Sequence, residues 1–340
     1  MLSLQRLQEK LRPGLLEIAG EDQSVLQVVC GGMHTLALME DGRVYSWGVN
    51  DEGALGRPTA DKVWNELGDG AFAAMKESFG AADREMLGTK SDPYVPGRVL
   101  MPKVCKGKKV VQLSAGDSHS CALLDDGSVV SWGTFRDASG VMGFSATTRL
   151  QLVPTVVYMP GSDSAVDSQS RLPAILSISS GADHVCGLTG EGTVVSWGSG
   201  QQGQLGRVGE RMSERMRMQT FLVPTVVPMK RMVGRMHRIV VDVACGTYST
   251  FFLLSDGSVY ACGLNNYGQL GIDELGVVYA PTRVAGAQGV TKVFPGQVCC
   301  CLAKPHWLTD PRPSTGNCYY DTINSLLTYI YLIDSTIHSS

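Results

Sequence analysis

The chain has 340 residues, a formal net charge of -3 and 44% apolar residues. That length can bury a sizeable core, as one repeat domain or two ordinary ones, and the mild acidity excludes bulk attraction to nucleic acid, so DNA contact would need a local basic patch. The 10 cysteines fall mostly inside apolar, strand-like runs, with no Cys-x-x-Cys pair and histidine partner, a pattern of free core thiols in a reducing compartment and of no metal site.

Residues 1–14 read as a lead-in. Arg6, Glu9, Lys10 and Arg12 interrupt its leucines, so it holds no apolar stretch of the secretory type. Leu15, Leu16, Glu17 and Ile18 match the last strand of a repeat whose front half is absent, so truncation at this end is expected. From there the chain repeats itself. Segments 28–38, 111–123, 177–188 and 241–253 align, and each runs through Asp41-Gly42, Asp126-Gly127, Glu191-Gly192 or Asp256-Gly257 into an alternating strand ending at Trp47, Trp132, Trp197 or Cys262. Asp-Gly between apolar segments predicts a hairpin with a two-residue turn, both positions at positive φ. Pro154 and Pro224 sit in strands 153–157 and 223–227, which therefore read as sheet edges. One copy supplies about four antiparallel strands, and such sheets arranged radially make an all-β fold, a β-propeller. About four full repeats plus fragments are present.

The spacing from Trp132 to Trp197 equals that from Trp197 to Cys262, whereas Trp47 to Trp132 is longer. The excess is an insertion at 57–92, with a short helix expected over 71–87, and it reads as a decorative excursion. A fifth copy begins at Val290 and stops after Gly296. Everything from 297 to 340 shares no pattern with the rest and is expected to be an unrelated, disordered tail, its apolar run around 326–333 too short to span a bilayer. Adjacent Cys299, Cys300 and Cys301 do not readily converge on one ion. The organisation is thus lead-in 1–14, repeat domain 15–296 and tail 297–340.

One copy breaks the pattern. Trp47, Trp197 and Cys262 are each followed by Gly-x-Leu-Gly, but after Trp132 the corresponding Gly140 comes two residues late. The enlarged loop is Phe135, Arg136, Asp137, Ala138, Ser139, Gly140, Val141 and Met142. Phe135 is expected to offer an apolar tip, Arg136 and Asp137 paired charges, and Ala138, Ser139 and Gly140 a tight turn. A repeat scaffold lengthened at one loop is a place where function is grafted; a tolerated surface insertion is the alternative. His34, His119 and His184 recur at one repeat position, too far apart to share an ion, and are expected to satisfy strand-end carbonyls. No Gly-x-Ser-x-Gly, suggestive carboxylate pair or phosphate loop is present, so no catalytic residue, cofactor or small-molecule substrate is expected.

The runs Cys30-Gly31-Gly32-Met33-His34, Asn50-Asp51-Glu52-Gly53-Ala54-Leu55-Gly56-Arg57, Ser114-Ala115-Gly116-Asp117-Ser118-His119, the loop 135–143, and Gly203-Gln204-Leu205-Gly206-Arg207-Val208 together resemble the regulator of chromosome condensation family, the nuclear exchange factors of the small GTPase Ran. The resemblance covers roughly 15–296. It implies a seven-bladed propeller with the loop 135–142 as a β-wedge against a Ran-type GTPase, and His34, Asp117, Asp183 and Arg207 facing that partner. It also implies chromatin docking on the nucleosome, its acidic histone surface and DNA, through a loop resembling 209–220 that carries Arg211, Arg215 and Arg217. Nuclear, chromatin-associated guanine nucleotide exchange without covalent chemistry follows as the expectation, with no membrane partner. The alternative is a non-catalytic interaction module built from the same repeats.

Overall fold

The computed structural model describes residues 18, 24–60, 62–65, 67–161, 173–207, 220–229, 238–296 and 300–303. Within them, four antiparallel sheets of four strands follow one another along the chain. Blade 1 comprises β1 (Val25–Cys30), β2 (His34–Met39), β3 (Val44–Gly48) and β4 (Gly97–Val99). Blade 2 comprises β5 (Val110–Ala115), β6 (His119–Leu124), β7 (Val129–Gly133) and β10 (Gln151–Tyr158), with the small hairpin β8 (Phe135–Asp137) and β9 (Gly140–Gly143) between the last two. Blade 3 holds β11 (Ile175–Ser180), β12 (His184–Thr189), β13 (Val194–Gly198) and β14 (Thr225–Val226); blade 4 holds β15 (Val240–Cys245), β16 (Ser249–Leu254), β17 (Val259–Leu264) and β18 (Val277–Arg283).

Each blade packs on the next. Contacts run from β2 to β5, β5 to β11, β12 to β15 and β16 to β19. Residues on both faces of β6, β12 and β16 are therefore buried, which is why these strands read as continuous apolar or small-residue runs instead of alternating ones. The cores lie between blades. One holds Leu36 and Leu38 of blade 1 against Leu113 and Trp132 of blade 2; another holds Cys186 and Leu188 of blade 3 against Val243 and Phe252 of blade 4.

Polar side chains also cross these interfaces. Gln27 accepts from Leu113 N–H at 2.7 Å and donates to its carbonyl at 3.1 Å, and Gln112 repeats the clasp on Ile178 at 2.9 and 3.0 Å. An inner strand faces the next blade with one free amide and carbonyl, and glutamine satisfies both.

Pro154 lies in the outermost strand β10, whereas β14 is shorter than expected, Thr225–Val226, and Pro224 immediately precedes it. The turns differ from expectation. Gly42 N–H bonds the Met39 carbonyl at 2.9 Å while Met39 N–H bonds Arg43, so Glu40 and Asp41 occupy the centre and Gly42 follows at φ 86. That is the three-residue loop with a glycine bulge. Asp41, Asp126 and Asp256 then serve as caps, each accepting the amide two residues on at 3.0 Å.

The insertion at 57–92 forms short helices at Lys62–Asn65, Asp69–Lys76 and Ala81–Met86, broken where one helix was expected. Trp64, Phe79 and Leu87 of this insertion pack on Leu152 and Val153 of β10, so it is anchored to the outer edge of blade 2. A fifth unit extends beyond the expected boundary: β19 (Lys292–Pro295) pairs with β20 (Cys300–Ala303), which the sequence reading assigned to the tail. The strand expected at 15–18 falls almost wholly outside the described residues, as does the chain beyond 303. At the other end β1 leaves Val25 43% and Val28 54% exposed, where their blade 2 counterparts Val110 and Leu113 are buried.

The clasp makes a quantitative prediction. Gln112→Ala leaves the Ile178 amide and carbonyl unpaired at a blade interface and should lower unfolding free energy by about 2 kcal/mol. Urea denaturation measures it, and a loss under about 0.5 kcal/mol, the range of ordinary surface substitutions, would contradict the assignment.

Candidate functional site

The enlarged loop is a true hairpin, with Phe135 opposite Gly143, Arg136 opposite Val141 and Asp137 opposite Gly140. Its two ends are buried and its tip is not. Phe135 is only 1% exposed, its ring centroid 4.7 Å from that of His119 and stacked on Phe144 at 6.3 Å. The expected apolar tip is therefore an anchor. A phenyl ring gains more from the core between blades 2 and 3 than from solvent, and Gly198 makes room for it, since a Cβ there would come within 3.0 Å of the ring. Met142 is buried beside it. What projects is Arg136, Ala138 and Ser139, with Gly140 turning the chain at φ 117.

The two blades that flank blade 2 hold this tip. Arg136 N–H donates to Asp183 Oδ1 of blade 3 at 2.8 Å, and the Arg136 guanidinium pairs with Glu52 of blade 1. Gln201, in the loop after β13, donates to Asp137 Oδ2 at 2.9 Å and accepts Ala138 N–H at 3.4 Å. Asp137 Oδ1 also caps Ser139 N–H at 2.7 Å. The sequence reading missed Glu52 and Gln201. Both lie just ahead of a Gly-x-Leu-Gly stretch, so their proximity to the loops was legible, but not their reach to the hairpin.

The hairpin displaces something. In blade 1 the Ala54 carbonyl, inside the Gly-x-Leu-Gly loop, accepts Trp132 Nε1–H at 2.7 Å and Ser120 Oγ–H at 2.8 Å across the interface. Blade 2 has no such loop, and Trp197 Nε1 is buried without a hydrogen-bond partner. His119 is similarly orphaned. His34 Nε2 lies 2.8 Å from Ser120 Oγ and His184 Nε2 2.9 Å from Thr250 Oγ1, but the residue in the matching place for His119 is Val185. His34 and His184 thus bond hydroxyls of the next blade, not the strand-end carbonyls expected of them, and the His119 ring nitrogens have no hydrogen-bond partner. Burial, aided by His34 and His184, pushes the His119 imidazole down to about 3; burial alone brings His34 to about 4. Both rings are neutral at physiological pH.

Of His34, Asp117, Asp183 and Arg207, expected to face the partner beside the hairpin, only Asp117 is exposed. It borders a cavity of about 490 Å³ with Met33, Asp51, Glu52, Ser118 and Arg136, in which carboxylates outnumber the one guanidinium. Such a rim suits a basic surface. Asp183 is 8% exposed and turned to the hairpin backbone. His34 is buried at the blade interface. Arg207 is turned inward as well, its guanidinium donating to Ser196 Oγ at 3.1 Å and to the carbonyls of Thr220, Phe221 and Val223. It staples the connection between β13 and β14, as Arg57 does in blade 1, and burial lowers its value to about 10. Arg211, Arg215 and Arg217 lie outside the described residues.

Burial pushes the Asp183 carboxyl up to about 6, against the Arg136 amide that lowers it and with Asp117 adding repulsion. Because this folded value exceeds the unfolded one of about 3.9, ionisation of Asp183 costs stability, and the cost grows as pH rises from about 4 to about 6 and persists above. Asp183→Asn keeps an acceptor for Arg136 N–H and removes the charge. It should be more stable than the parent at pH 7 by on the order of 2 kcal/mol, with the difference vanishing near pH 4. Urea midpoints across that range test the sign.

A family model described as the RCC1-like domain matches residues 2–305. The human protein Regulator of chromosome condensation is 35% identical over 295 residues, 86% of this chain and 59% of its own length. The guanine nucleotide exchange factor SRM1 of Saccharomyces cerevisiae is 37% identical over 273 residues, 80% of this chain and 51% of its own. The crystal structure of Prp20p from Saccharomyces cerevisiae aligns with a TM-score of 0.59 at 32% identity, covering 80% of this chain and 53% of that one. The chain therefore spans between half and three-fifths of the length of these relatives. Matched along most of its length by that model and carrying the repeated four-stranded sheets of a propeller, the chain belongs to the family of RCC1-like domains.

Proposed function

We propose that this propeller is a guanine nucleotide exchange factor for a Ran-type small GTPase, with the hairpin 135–142 as the wedge that destabilises bound nucleotide. The observation that carries the reading is the hairpin itself: exposed only at its tip, anchored by Phe135, braced from blades 1 and 3, and set beside a carboxylate-lined cavity. SRM1 bears the name of such a factor, and Prp20p is described by its binding to Gsp1p and histones.

Exchange makes and breaks no covalent bond. The factor binds the nucleotide-free GTPase better than the loaded one, and that difference lowers the barrier to release. A thousandfold acceleration asks for about 4 kcal/mol of differential affinity. A loose loop would yield before the GTPase did, which is what the buried Phe135 and the bonds to Asp183 and Gln201 prevent. Asp117, Asp51 and the cavity between them hold basic side chains of the partner in register. Histone contact, which Prp20p makes, is the second partner in this reading, with Arg211, Arg215 and Arg217 as its candidates and a nuclear, chromatin-associated setting as its corollary.

Arg136→Ala combined with Asp137→Ala strips the tip while leaving Phe135 in place. Catalysed release of fluorescent GDP from purified Ran should fall by at least about 10-fold, equivalent to about 1.4 kcal/mol of barrier, with an unchanged urea midpoint. Unchanged release by the double variant would remove the wedge assignment. Binding of Ran without any acceleration by the parent chain would favour the interaction module instead.

A further inference from the structure

The interface between blades 3 and 4 gathers three soft donors that no local spacing reveals. His184 and Cys186 share one face of β12, two residues apart, and Cys245 ends β15, the strand packed against it. Their donor atoms lie within 4.8 Å of one another, and all three residues are buried. Among the described residues this is the one such cluster. The same repeat positions hold His34, Leu36 and Ala115 at the first interface, and His119, Cys121 and Ser180 at the second. Only the third interface carries the full set.

The surroundings match. Thr250 Oγ1 is 2.9 Å from His184 Nε2, 4.0 Å from Cys186 Sγ and 3.9 Å from Cys245 Sγ, and donates to the Gln204 carbonyl at 2.7 Å. The other His184 nitrogen, Nδ1, is buried with no hydrogen-bond partner. Cys245 borders a cavity of about 310 Å³, together with Ser180 and Gly246, which gives an entry path.

We propose that His184, Cys186 and Cys245 bind a thiophilic divalent cation of the Zn²⁺ class, clamping blade 3 to blade 4. Ligand atoms of a tetrahedral zinc stand roughly 3.5–4 Å apart, so the donors need only a small inward adjustment, and water from the cavity completes the coordination. Two thiolates and a neutral imidazole around a divalent ion form an uncharged unit, which a buried site tolerates; the displaced thiol protons pass to solvent. The clamp stands where a cross-blade bond has been weakened. In place of the tryptophan that bridges blades 1 and 2, blade 4 carries Cys262, whose Sγ is 3.7 Å from the Gln204 carbonyl.

The test uses the full chain, reduced and stripped of metal by chelation under anaerobic conditions, then titrated with Zn²⁺ against a chromophoric chelator and separately with Co²⁺. One equivalent should bind, with thiolate-to-cobalt charge-transfer absorption. Cys186→Ser and Cys245→Ser should each weaken Zn²⁺ binding by roughly 100-fold or more, at least what losing an outer-shell partner costs. Cys121→Ser, and a triple variant with Cys299, Cys300 and Cys301 all replaced by Ser, should keep it. Circular dichroism of each metal-free variant separates misfolding from ligand loss, and the stoichiometry of the unaltered chain requires no variant. Absence of stoichiometric binding by the folded parent chain, a cobalt spectrum without thiolate absorption, or retention of binding when both Cys186 and Cys245 are replaced would overturn the site. A Cys186–Cys245 disulfide in protein kept under reducing conditions would do so as well.

Discussion

Face-to-face packing of consecutive sheets is the constraint on which everything else in this molecule rests. No blade has a core of its own: Leu113 and Trp132 are buried because Leu36 and Leu38 cover them, and Val243 because Leu188 does. Both faces of β6, β12 and β16 are consequently buried, and the polar backbone groups left at the blade interfaces have to be answered by side chains. Gln27, Gln112 and Trp132 give that answer at the first two interfaces. Each costs rotamer entropy, and each repays it by satisfying a group that water cannot reach.

The hairpin is an exception cut into this scheme. A repeat that elsewhere folds a Gly-x-Leu-Gly loop under its neighbour instead forms an eight-residue hairpin with buried ends and an exposed tip, and Trp197 Nε1 loses the partner its equivalent Trp132 keeps. Phe135 fills the vacated space with a ring that needs no hydrogen bond. The local conflict between repeat rule and observed structure falls at the segment with the strongest functional claim, the expected place for one.

Much of the architecture was legible because its signals are local. Asp-Gly, Trp-Gly and Gly-x-Leu-Gly each act within a few residues, and their recurrence marked four blades and the aberrant loop. What failed depended on neighbours far along the chain. The depth of Phe135 is set by Gly198; the orientation of Asp183 by the Arg136 amide; that of Arg207 by carbonyls at 220–223. An apolar residue in a charged loop is tip or anchor according to what lies opposite, and sequence order does not say. The turn type was misread for a related reason, since the dipeptide alone does not reveal which pair closes the loop. Cys186 and Cys245 sit in different repeats, so a search for paired ligands by spacing passes over them.

The exposure of Val25 and Val28 on β1 has a mechanical consequence. Contacts in this stack are made between immediate neighbours, so disturbance travels inward one layer at a time. Fraying that begins at Val25 and Val28 enters the layer that carries Glu52, and the Arg136 guanidinium is the first part of the hairpin to lose its hold, while Asp183 and Gln201, two layers in, still grip the main chain. Whatever covers Val25 and Val28 tightens a loop it never touches.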